Sequence, residues 1–74
     1  MNKEKRKKLL YGCDMLAEAA AVFGEVVVAE ECSLARAPDN LVDSPQYEQI
    51  EANIAELEDS ILEICDIEEK IRRI

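Results

Sequence analysis

Both prolines of this 74-residue chain, Pro38 and Pro45, fall in one short stretch, APDNLVDSPQ at 37–46. Nothing else in the sequence interrupts the backbone so firmly. Proline pushes the residue before it out of the helical region, so Pro38 ends whatever helix precedes it. Ser44-Pro45 reads as a helix start, with a serine N-cap followed by proline at the first helical position, where its missing N–H is no loss. The chain is thereby divided into two long arms around one loop. The expected organisation is a first helix over about 5–36, a loop over 37–44 and a second helix over about 45–73. Residues 1–8, MNKEKRKK, form a basic extension or the start of the first helix.

Both arms carry helical periodicity. In the first, Leu9, Cys13, Leu16, Ala20, Phe23 and Val27 are spaced 4, 3, 4, 3, 4, the repeat of one helix face. A second stripe, Met15, Ala19, Val22, Val26 and Ala29, runs beside it. The apolar face is therefore wider than one neighbouring helix can cover. Val26-Val27-Val28 is β-branched, but no second strand candidate exists to pair with it. Gly12 and Gly24 each weaken the helix by about 1 kcal/mol relative to alanine, and Gly24 leaves a bend open. In the second arm, Tyr47, Ile50, Ile54, Leu57, Ile61 and Ile64 are spaced 3, 4, 3, 4, 3, a seam of bundle type. Glu68 comes next in that register, so the seam is expected to shift to Ile67, Ile71 and Ile74. Glu68–Arg72 and Glu69–Arg73 are favourable i, i+4 pairs.

The expected fold is all-α: an antiparallel two-helix hairpin. A hairpin buries one stripe per helix and leaves the second stripe of the first helix wet. An apolar patch of that size marks an interface. With hydrophobic residues at 49% of the chain, the expectation is a homo-oligomer, most simply a dimer forming a four-helix bundle.

Composition excludes several function classes. The apolar runs Ala19–Gly24 and Val26–Ala29 fall far short of the roughly 20 residues of a membrane span. The basic start is not followed by an uninterrupted apolar stretch with a small-residue cleavage site, so no secretory signal is expected. There is no histidine, no nucleophile motif and no glycine-rich phosphate loop, which argues against an enzyme. Neither a metal nor a cofactor is expected, since the carboxylate-bridged metal sites of bundles need Glu-x-x-His pairs. Cys13, Cys32 and Cys65 are an odd set without CxxC spacing. They read as small buried hydrophobes in a reducing compartment. Glu30, Glu31 and Glu68 are the acids nearest the apolar seams, and read as seam breaks or as the lining of a pocket between subunits.

Charge is distributed unevenly. Residues 1–8 hold five basic residues and one acid, a net of +4; the remainder nets −12, for −8 overall. Duplex DNA is excluded as a partner by that balance. In an antiparallel hairpin the basic start lies beside Lys70, Arg72 and Arg73, so eight of the nine basic residues share one pole and only Arg36 lies at the loop end. Such a pole suits phosphate groups. The candidate ligand-binding residues are Arg36, Lys70, Arg72 and Arg73, with Tyr11 and Tyr47 as stacking partners. On the second helix Glu48, Glu51, Glu58, Asp59, Glu63 and Asp66 form an acidic face able to imitate a phosphate array.

The segment Pro38 to Ile61, with Asn40-Leu41, Ser44, Tyr47-Glu48, Ile50, Ile54 and Leu57, resembles a group of short bacteriophage helical-hairpin proteins. Their turn has the form N-L-x-x-S-x-x-Y-E and is followed by a helix rich in E-x-x-I/L. The group more often carries Glu-Arg before the tyrosine, where this chain has Pro45-Gln46. The resemblance implies a viral origin and expression in the cytoplasm of a bacterial host. By analogy of size and assembly it also implies an inhibitor of host antiviral defence that sequesters a nucleotide signal or a host protein. An acidic protein-interaction inhibitor or DNA mimic, and a structural accessory bundle, are the alternatives.

Overall fold

A computed structural model describes all 74 residues. Helix α1 runs Lys3–Ala35 and α2 runs Pro45–Arg72, joined through a short 3-10 turn at Asp39–Leu41. There is no strand. The helices are antiparallel: Arg6 lies beside Ile74, and Cys13 beside Glu68. At 60 Å long and 15 by 12 Å across, the molecule is a rod two helices wide.

Local chemistry sets the boundaries. Asn2 caps α1, its side-chain oxygen accepting from the Lys5 N–H at 2.8 Å. The basic start is thus the first turns of α1 rather than a separate extension. Ser44 caps α2 in the same way, with its hydroxyl accepting from the Tyr47 N–H at 3.2 Å, and Pro45 follows it. Each cap satisfies an amide that the helix start leaves without a carbonyl. The hydrogen-bonded helix α1 continues unbroken through Gly24, and no residue has a positive φ.

The seam between the helices is narrow. Only Cys13, Ala20 and Val27 are buried, one every seven residues along α1. Leu9, Leu16, Gly24 and Leu34 are half-buried beside them. The α2 side consists of Tyr47, Ile50, Ile54, Leu57, Ile61, Ile64, Glu68 and Ile71, all half-buried. Two expectations are corrected here. Phe23, expected in the seam, is 39% exposed. Cys13, Ala20 and Val27 repeat in heptads and centre the seam, which leaves Phe23 on its edge. The seam of α2 also does not shift at Glu68. Ile67 is 49% exposed and Ile74 is exposed as well, while Glu68 keeps the seam register. Its stem lies against the partner helix and its carboxylate reaches Arg72. Cys32 is exposed rather than buried, and Cys65 is half-buried.

The hairpin leaves much surface uncovered. Its accessible area is 5902 Å², against about 4,600 Å² for a compact monomer of this mass. Its radius of gyration is 17.3 Å, against about 11 Å for a compact chain of this length.

Candidate functional site

The three buried residues of α1 define two flanks. Residues just after them, Asp14, Ala21 and Val28, lie on one flank; residues just before them, Gly12, Ala19 and Val26, lie on the other. Successive side chains on a helix are about 100° apart, so these flanks are opposed.

Near the basic pole the first flank is closed by ions. The Arg72 guanidinium donates to Glu68 on its own helix at 2.6 Å and to Asp14 on α1 at 2.9 Å. These hydrogen bonds, the one to Asp14 first, raise the Arg72 pKa above its already high ordinary value. Arg73 pairs with Glu69 at 3.8 Å and also donates to the Glu69 carbonyl at 3.3 Å. Arg6 donates to the Ile74 carbonyl at 3.2 Å. The C-terminal arginines therefore already have carboxylate partners.

The lysines do not. None of Lys3, Lys5, Lys7, Lys8 and Lys70 forms an ion pair, since every ion pair in the molecule belongs to Arg72 or Arg73. On the second flank, Lys5 and Lys8 border an open groove of about 410 Å³ whose floor is Leu9, Cys13, Leu16 and Ile71. Gly12 forms part of its wall. A Cβ at Gly12 would meet nothing within 4 Å, so this glycine provides open space rather than a close approach of helices. An apolar floor with ammonium groups at its rim accepts a molecule that is apolar on one side and anionic on the other.

The remaining sequence candidates do not gather here. Arg36 forms the C-cap of α1 at the loop end. Tyr47 is half-buried there, in a small hollow with Leu34, Leu41 and Ile50. Tyr11 lies near the pole but 65% exposed. Arg36 and Lys8 are 28 residues apart on one straight helix, about 40 Å at 1.5 Å per residue. A single chain therefore does not bring the six candidates together. Sequence reading placed the weight on Arg72 and Arg73, and missed the groove of Lys5, Lys8 and Gly12. The available signal was the seven-residue step from Lys5 to Gly12, one position ahead of the buried Cys13.

Further along the second flank, Glu30 and Asn53 line a smaller groove of about 280 Å³ with Val26, Val27, Ile54 and Leu57. No three potential metal ligands come together, and no helix is long and apolar enough to cross a membrane. No protein-family model matches the chain, and neither does any curated protein or solved structure.

Proposed function

We propose that this chain is a non-enzymatic binding protein, working as a homo-oligomer, that sequesters a phosphate-bearing nucleotide signal at its lysine pole and so inhibits host antiviral defence. The observation that carries the reading is the set of lysines without carboxylate partners around an apolar groove. In a chain with 17 acids, cations left unpaired at one end are available to an anion. A base or other flat apolar group would rest on Leu9, Leu16 and Ile71, and phosphates would meet Lys5 and Lys8 as point charges. The bacteriophage resemblance supplies the biological setting: the cytoplasm of an infected bacterium. Calorimetric titration against a panel of cyclic di- and trinucleotides is the test. Binding that is lost in the Lys5→Ala, Lys8→Ala double variant is the expected result. Absence of heat across the whole panel overturns the nucleotide reading.

A second reading has its own support. Glu48, Glu51, Glu58, Asp59, Glu63 and Asp66 are all exposed, and none is in an ion pair. Such a face suits a basic host protein, in the manner of an acidic DNA mimic. Salt-sensitive capture of a basic nuclease, lost on reversing Glu51 and Glu58 to lysine, would favour it over the nucleotide reading.

A further inference from the structure

Resting on the self-association just proposed, we infer how two copies meet: through the second flank of α1, antiparallel, about a two-fold axis at Val22. Three observations lead there.

The first is area. The hairpin exposes about 1,300 Å² more than a compact monomer of its mass should. Covering that excess on two copies would take an interface of about 2,600 Å², within the range of obligate homodimers.

The second is the shape of the apolar stripe. Met15, Val22 and Val26 are exposed large hydrophobics, the small Ala19 and Ala29 complete the row, and the exposed Phe23 lies beside it. Its spacing is 4, 3, 4, 3 from Met15 to Ala29, the geometry of a helix that has another helix along it. The row ends in cations on the same helix line: Lys8 lies seven residues before Met15, and Arg36 seven after Ala29. A stripe closed at both ends sets the register of its partner. Its centre is Val22, midway between Met15 and Ala29, and an isologous contact puts the two-fold axis there.

The third is charge. A parallel pair would set two +4 segments, residues 1–8, against each other. An antiparallel pair sets each beside the loop end, where three acids, Asp39, Asp43 and Glu48, outnumber the single cation Arg36, so the net interaction is attractive despite Lys8 facing Arg36. Attraction replaces repulsion at both ends of the assembly.

The register has a consequence for the groove. Residue 8 of one copy lies opposite residue 36 of the other. Each Lys5–Lys8 groove is therefore approached by the second copy's Arg36, a residue that the single chain leaves about 40 Å away. The dimer carries two such composite sites, one at each end, and each is incomplete without the second copy.

The exposed Cys32 gives a direct test. In a Cys65→Ala background, with Cys13 buried, a spin label is placed on Cys32 and the inter-label distance is measured by pulsed electron resonance. Sedimentation is run on the same sample. Cys32 lies ten residues beyond Val22, so an antiparallel dimer separates the two labels by 20 residues, about 30 Å. A dimer with that distance supports the inference. A dimer with labels within about 15 Å is parallel and overturns it. A folded monomer at micromolar concentration overturns the self-association on which it rests. Val22→Glu is the second arm: at least a 100-fold rise in the dimer dissociation constant is expected, and an unchanged dimer overturns the choice of face.

Discussion

On one flank of the hairpin, Arg72 reaches across from α2 to Asp14 and holds Glu68 on the way. On the other, Met15, Val22, Phe23 and Val26 stand exposed beside two open grooves. Both flanks border the same seam of Cys13, Ala20 and Val27. Their difference separates two tasks. The ionic flank is tied within one chain near the pole, where Arg72 bridges the helices, although Val28 further along it is 60% exposed. The apolar flank is unfinished, because water is a poor neighbour for that much hydrocarbon. The two helices leave that flank open, and this is the ground on which a second copy is proposed there.

The largest effect should follow from removing what the flanks share. Leu57 is half-buried in mid-seam on α2 and faces α1 near Val27. Leu57→Glu places a carboxylate in that contact without any cation near it. A charge so placed costs several kcal/mol, and losses above about 4 kcal/mol are enough to unfold a marginal domain. The expected result is loss of helical circular dichroism at 25 °C and loss of the oligomer with it. A folded hairpin with an unchanged melting curve would show that the seam is not where the stability lies.

How much of this was legible beforehand depended on how local the signal was. The loop and the start of α2 were readable from Pro38, Ser44 and Pro45 alone, because a cap and a fixed φ act within a few residues. The α2 seam was readable as far as Ile64. Past that point the spacing misleads, because a charge at Glu68 suggests that the seam leaves this register. What keeps Glu68 in place is Arg72, one turn on, itself anchored by a second carboxylate, Asp14, on the other helix. The first partner is visible in sequence; the second requires the register between helices. Phe23 failed for a related reason. Its spacing fits the seam, but the spacing of two interleaved stripes does not say which is central. The groove of Lys5 and Lys8 was hidden because it is a space between side chains, and composition reports the side chains only.

The two glycines sharpen the comparison at about 1 kcal/mol. A Cβ would meet nothing within 4 Å at either position, so Gly→Ala at each should gain the helix propensity without a clash, about 0.8–1 kcal/mol. For a domain of this size that is a rise in Tm of about 4–8 °C. The sites then diverge. Gly24 lies away from the apolar flank, so Gly24→Ala should stabilise and leave ligand binding unchanged. Gly12 lines the lysine groove, so Gly12→Ala should stabilise the helix yet weaken anion binding in calorimetry. Equal behaviour of the two variants in the titration would remove the groove from the proposal.

The smallest effect is expected at the ion clasp, and it tests whether the flanks are independent. Arg72→Gln removes the charge and withdraws the donors from both carboxylates while keeping a polar side chain at the position. Asp14 is largely exposed and Arg72 partly so, and ion pairs at such positions contribute little because water and salt screen them. The guanidinium pKa is raised rather than lowered, so the arginine stays charged at any ordinary pH and only salt or protonation of its partners loosens the clasp. A small fall in Tm at low ionic strength is expected, below the gain from either glycine variant. That gap should close as salt rises toward 1 M, where the screening length falls to about 3 Å. Sedimentation of Arg72→Gln should show the same oligomer as the parent chain, because the clasp lies on the flank opposite the apolar stripe. If the variant also dissociates, the two flanks are coupled through the angle between the helices. The ionic flank then does more than finish its own side: it sets the surface on which the second copy docks.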